Sequence, residues 1–221
     1  MIILLLLQLT FMNNLNSQID LWLNNQITNL EVIDYLIEEE KKGLTNYELS
    51  LNYLLMGRAY LADENSKTSI EFFEKSIDFA TRANKKKESS DNYRVISEAG
   101  SYIMLQKGIP YIIKNSKDIN DQALRSLELD KDNIRSSIIV ANGLINAPKF
   151  FGGDINQGIS ILESLDTNQW PKEVEFDRLI ALSNAYEKKK SKNNAINSAK
   201  LALRIYPNNK KAKELLLTLE G

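Results

Sequence analysis

Histidine and cysteine are absent from all 221 residues, so any chemistry here must be done without them. That removes imidazole bases, Ser-His-Asp and Cys-His nucleophile systems, thiolate zinc sites and disulfides, and with them most familiar hydrolase designs. Three stretches still have residue types and spacing that bear on chemistry. "INAPKFFGGDINQGISIL", residues 145–162, gathers a proline, two aromatics, a glycine pair and an aspartate into a few positions. A phosphate cradle needs Gly-Lys-Ser/Thr closing a G-x-x-x-x-G spacing, or G-x-G-x-x-G after a strand, and neither occurs. "DKDN", Asp130 to Asn133, opens like a calcium loop, but Ile134 takes the third ligand position and no glycine follows. The third is Glu98 with Ser101, since glutamate chemistry on sugars needs no histidine. No catalytic residue, cofactor or metal is expected from these patterns.

Charge narrows the partners. Lys+Arg 28 against Asp+Glu 29 gives a formal charge of -1, so no whole-chain field points toward nucleic acid. Lys188 to Lys213 holds a run of basic residues and no acidic one, the pattern of a solvated face. The expected partner is a protein or peptide, with no nucleic acid and an oligomeric state the composition leaves open.

The chain opens with an apolar run, Ile2 to Met12, followed by polar residues to Ser17. The run has signal-peptide length and falls short of the ~20 residues a spanning helix needs. No Lys or Arg precedes it. Residues 1–17 are therefore read as a signal peptide or a hydrophobic N-terminal helix, and 18–221 as the folded domain. Export to the periplasm is the expected localisation, with a cytoplasmic protein as the alternative. Membrane contact is expected only through this N-terminal segment, if it is uncleaved.

The elements behind these residues are helices. Ile19, Leu23, Ile27, Leu30, Ile33 and Ile37 recur at gaps of three and four, one stripe of an amphipathic helix with a break near Asn24-Asn25. Gly43 is placed to end it, and Thr45 with Glu48 has capping-box spacing for the next start. No alternating strand pattern or hairpin dipeptide occurs, so the chain reads as all-α.

The helices also repeat. "FDRLIALSNAYEKKKSKNNAINSAKLALRIYPNN", Phe176 to Asn209, places Leu179, Leu182, Ser183 and Tyr186 on a first helix. Ala195, Ala199 and Ala202 follow on a second, and Pro207 closes the unit. It resembles one tetratricopeptide repeat (TPR), a 34-residue helical hairpin. Tyr53, Met56, Gly57 and Tyr60, then Ser69, Phe73 and Ser76, fit the same template. A mid-helix glycine costs about 1 kcal/mol of propensity, so Gly57 points to close helix packing. "NYRVISEAGSYIMLQ" supplies another first helix with Gly100 at the small position, and its partner arrives late, with Pro110 near its start. "ANKKKESSDN" reads as an exposed connector. "NIRSSIIVANGLIN" and "INQGISILESL" form a third hairpin, for which "APKFFGGD" is an enlarged turn. Pro148 ends the first helix, the glycines permit positive φ, Asp154 stands at an N-cap, and Phe150 and Phe151 are expected to fold back as a plug. Trp22 and Trp170 read as packing residues.

The resemblance implies a TPR-like superhelix of about four antiparallel hairpins with capping helices, and a concave groove lined by first helices. The template places Leu54, Arg58, Arg94, Ser97, Ser101, Ile139, Asn146, Asp177, Ile180, Asn184 and Glu187 on that groove. It implies a non-enzymatic scaffold that binds a protein or peptide. Leu54 and Arg58 occupy sites where chaperone-tail binders carry a carboxylate clamp, so that clamp is not reproduced. The "AP…GGD" turn is similar to turns of bacterial exported TPR proteins, including the T-component of TRAP transporters, which would make the chain a transport accessory with a small ligand. Members of that family carry a lipid-modified cysteine that is missing here. Glu98 with Ser101 resembles the catalytic glutamate of superhelical lytic transglycosylases, implying a cell-wall glycosidase as a further alternative.

Overall fold

The computed structural model describes residues 2–221, with side chains from Leu9 onward. In chain order the helices are α1 (Ile2–Leu23), α2 (Asn29–Glu40), α3 (Asn46–Ala62), α4 (Ser66–Lys86), α5 (Ser90–Lys107), α6 (Ile109–Leu129) and α7 (Ile134–Asn146). After a 3₁₀ turn at Lys149–Phe151 come α8 (Ile155–Ser164), α9 (Lys172–Lys188), α10 (Lys192–Ile205) and α11 (Lys210–Glu220). No strand occurs among the described residues, so the fold is all-α and TPR-like. The chain divides into two compact units, Asn29–Asp154 and Met1–Thr28 with Ile155–Gly221.

Local chemistry sets the helix boundaries. Thr45 and Glu48 form the full capping box: the Glu48 N–H donates to Thr45 Oγ1, and Glu48 Oε2 accepts from the Thr45 N–H at 2.8 Å. Asn65, Ser89, Asn133 and Asn209 cap α4, α5, α7 and α11 in the same way, each accepting from a backbone N–H three residues on. Asn25, at φ 53°, separates α1 from α2, in the left-handed region that asparagine tolerates. Gly108, at φ 77°, turns α5 into α6, and Pro110 sits in the first turn of α6, where a missing N–H costs nothing. The lysine-rich stretch after Ala83 corrects the expected connector. Helix α4 runs through it to Lys86, and only residues 87–89 are loop. Lys85 and Lys86 in the last turn face the negative end of the helix dipole, which favours helix there.

Within Asn29–Asp154, each helix packs on the next in sequence, while α3 also meets α5 and α5 meets α7. First helices therefore lie side by side. The hairpins close at small residues. A Cβ on Gly57 would stand 2.6 Å from the Phe73 ring, and one on Gly100 would stand 2.9 Å from Ile119. Serine hydroxyls staple the same points: Ser69 Oγ donates to the Gly57 carbonyl at 2.9 Å, and Ser97 Oγ to the Ile119 carbonyl at 2.8 Å.

The turn after α7 is closed by its own backbone. The N–H groups of Phe151 and Gly153 donate to the Pro148 carbonyl, and that of Asp154 to Leu144 at 2.9 Å. Gly152 takes φ 85°, whereas Gly153 does not lie at positive φ. Gly153 is required for a different reason: a Cβ there would fall 1.8 Å from the Ala147 oxygen. Gly153→Ala is expected to destabilise the chain by about 1–3 kcal/mol, because a backbone atom cannot yield as a side chain can. Thermal unfolding followed by circular dichroism checks this, and an unchanged midpoint would mean that the turn rearranges freely. Phe150 and Phe151 are not the expected plug. They are 81% and 61% exposed, and their rings lie against each other with centroids 4.3 Å apart. The closing bonds occupy the inner side of the turn and leave both rings outside.

In the other unit, Phe11, Leu15, Ile19 and Leu23 are buried at four-residue spacing along α1, which meets α9. Polar ties from α1 and the residues after it reach the C-terminal segment. The Tyr206 hydroxyl donates to Asp20, Asn209 Nδ2 donates to the Leu23 carbonyl at 2.7 Å, and Asn24 and Asn25 accept from the N–H groups of Asn208 and Lys210. All four ties lie beyond residue 17. Ser183 Oγ donates to the Ala195 carbonyl at 2.9 Å, the mirror of the Ser69–Gly57 staple. Trp22 and Trp170 are half-buried. Among the described residues no helix is long and apolar enough to cross a membrane.

Candidate functional site

Gly57 faces α4, so the next residue, Arg58, points off that seam toward α5. Arg94 and Glu98 stand four apart on α5 and share one helical face. These positions meet. Arg94 Nη1 donates to Glu98 Oε2 at 2.8 Å, while Arg58 Nη1 lies 4.0 Å from Glu98 Oε1. Arg94 is only 4% exposed, and its Nε is buried without a hydrogen-bond partner. Burial works against the Arg94 charge, but Glu98, Tyr47 and Asp91 outweigh it and hold the guanidinium above its ordinary value. The Tyr47 phenol is raised, first by burial and then by Asp91, against the opposing pull of Arg94 and of Arg135 on α7. Arg58, Arg94 and Arg135 thus come from three neighbouring first helices, and two carboxylates, Glu98 and Asp91, face them.

Of the eleven residues that the repeat template projected, the structure joins Arg58 and Arg94 through Glu98. Ser101 follows on α5, its hydroxyl donating to the Ser97 carbonyl at 2.8 Å. Ile139 is half-buried and Asn146 exposed on α7, with Asn146 Nδ2 donating to Asn142. Leu54 and Ser97 are packing residues and not lining: Leu54 is 5% exposed, and Ser97 is enclosed where it staples α5 to α6. Ser97 is covered by α6, the second helix of its own hairpin, whose Ile119 carbonyl it reaches. Asp177, Ile180, Asn184 and Glu187 form a separate stripe on α9, half-buried at its start and exposed at Asn184 and Glu187.

Glu98, the possible sugar-acting carboxylate, is engaged by two guanidiniums. That is the arrangement of a structural ion pair and not of an acid waiting for substrate. Sequence reasoning missed Tyr47, Asp91 and Arg135. The i, i+4 spacing of Arg94 and Glu98 was a signal for their pair, but nothing local told that the pair is buried. Among the described residues no three acidic side chains gather into a metal site.

Two segments of the chain, residues 52–81 and 177–209, match the family model described as tetratricopeptide repeat. They are α3 with α4 and α9 with α10, the hairpins closed by the paired serine staples. A search of the curated proteins finds no match. Among solved structures, YrrB, described as a TPR protein with an unusual peptide-binding site, is 18% identical. The likeness covers 77% of this chain and 74% of that one at a TM-score of 0.41.

Proposed function

We propose that this chain, which carries tetratricopeptide repeats, is an interaction scaffold that holds an extended segment of a protein partner along α3, α5 and α7. The observation that carries the reading is the Arg58–Glu98–Arg94 cluster. Side-by-side first helices present a shared face on which the guanidiniums of Arg58, Arg94 and Arg135 stand among the carboxylates of Glu98 and Asp91. Such a face favours an extended peptide that brings its own carboxylate or carbonyl oxygens to Arg58 and Arg135, which the buried Arg94–Glu98 pair supports from beneath, and apolar side chains to Ile139. The α9 stripe, with Ile180 flanked by Asp177, Asn184 and Glu187, is a second surface of mixed character for the same kind of ligand. A TPR fold is typically a non-enzymatic scaffold, and the ion-paired Glu98 suits that role.

Selection from a displayed peptide library on the immobilised protein, followed by calorimetry on the winning peptides, tests the reading. Arg58→Ala is expected to weaken the best peptide about tenfold or more, the range for a charge-assisted hydrogen bond. Peptides whose affinity ignores both Arg58→Ala and Asn184→Ala would refute both surfaces.

A further inference from the structure

At the proposed face the Arg58–Glu98–Arg94 cluster ties α3 to α5. A second polar tie lies where α5 and α7 begin, and it is built on the buried Asn133. Its side chain works in two directions. Oδ1 accepts from the Ser136 N–H at 3.1 Å and so caps α7. Nδ2 donates across to α5, to Ser90 Oγ at 2.9 Å and to Asp91 Oδ1 at 3.3 Å. Ser90, having accepted from Asn133, is free to pass its own hydrogen on. Its hydroxyl stands 2.8 Å from that of Ser126 on α6, which stands 2.6 Å from that of Ser136. The bonds thus leave α7 at Asn133 and return to it at Ser136, closing a loop over three helices. Asn133, Ser126 and Ser136 are buried, so most of this loop is made out of water, where each bond polarises the next.

We infer that Asn133 is a positioning residue for this face, setting how far Arg135 on α7 stands from Arg94 and Arg58. This role rests on the peptide reading proposed above and deepens it. Both ends of the tie adjoin the charged set. Arg135 lies in the first turn of α7, just after Asn133, and Asp91 in the first turn of α5. Asp91 and Arg135 both face the Tyr47 phenol, and Asp91 also faces Arg94. A peptide that engages Arg58 and Arg135 together must cross α5, so its fit depends on the spacing of α5 and α7. A serine at 133 would still start α7, but it has no amide with which to hold Ser90 and Asp91. The cap alone therefore does not account for the bonds that Nδ2 makes across the seam.

Calorimetry on the full chain with a peptide from the displayed library tests it. Asn133→Ser keeps an acceptor for the Ser136 N–H and removes the donor, and is expected to weaken the peptide about fivefold with helix content unchanged. The loss should act through Arg135. Arg135→Ala with and without Asn133→Ser should bind equally weakly, whereas Asn133→Ser and Arg58→Ala should add. Asn133→Asp also keeps the cap and removes the donor, so it gives a second measurement should the serine variant fold poorly. Adding Asp91→Asn to Asn133→Asp turns the bond round and is expected to bring affinity back to within about twofold of the original. A seam that only stabilises the fold would lower the urea midpoint in the Asn133 variants and leave their affinity unchanged, and that result overturns the inference. Additive losses for Asn133→Ser and Arg135→Ala overturn it as well. A peptide weakened by Arg58→Ala but by neither Asn133 variant refutes the positioning role and leaves the interaction scaffold standing. A selection that yields no peptide refutes both.

Discussion

Gly57→Ala is expected to destabilise the protein by about 1–3 kcal/mol, although helix propensity alone predicts a gain of about 1 kcal/mol. The clash decides the sign. The new methyl would meet two Phe73 ring atoms at 2.6 Å. That ring is fully buried and stacks on Tyr102 with centroids 4.9 Å apart, so it has nowhere to retreat. Phe73→Ala removes the obstacle but opens a cavity, at a cost of about 3–5 kcal/mol. Phe73→Leu is the informative partner, since it makes room for the Gly57 methyl. Urea unfolding of the two singles and the double should show Gly57→Ala and Phe73→Leu coupled by about 1 kcal/mol or more. Strict additivity would mean that the hairpin does not close on this pair.

Glu98→Gln is expected to cost about 3–5 kcal/mol, because it leaves the Arg94 guanidinium buried beside a neutral group. Arg94 already carries an unpartnered Nε, and Glu98 is the first of the groups that hold its charge against burial. Replacing the pair together, as Arg94→Met with Glu98→Leu, removes both desolvation penalties and is expected to restore most of the loss. Chemical denaturation of the three variants reads this. If Glu98→Gln alone leaves stability unchanged, Arg94 is not buried as described and the proposed face of α3, α5 and α7 loses its anchor.

These two sites differ in how far the chain announced them. Gly57 was legible because a mid-helix glycine at the template's small position has a local cost that only packing offsets. The capping box at Thr45, the break at Asn25 and the late start of α6 at Pro110 were legible for the same reason: each is decided within four or five residues. The arginine cluster was not. Arg58 and Arg94 are far apart in sequence, and their meeting at Glu98 depends on how one hairpin seats against the next. Burial of Ser97 was missed for a different reason: its hydroxyl turns to the Ile119 carbonyl of its own hairpin instead of to the groove. Phe150 and Phe151 failed in the opposite direction. Their hydrophobicity suggested burial, yet a turn that satisfies its backbone internally has no inner side left for them.

By itself, then, the sequence determined the all-α class, the capping box at Thr45, the small residues Gly57, Gly100 and Ser183 at their hairpin seams and the absence of histidine or thiol chemistry. Periodicity and backbone preference act over one or two turns and are written in consecutive residues. Tertiary structure alone decided which side chains of the first helices stay open, which charges meet, and that serine hydroxyls as well as small volume close the hairpins. Those outcomes depend on distances between segments that the chain brings together only by folding, and no local preference encodes them.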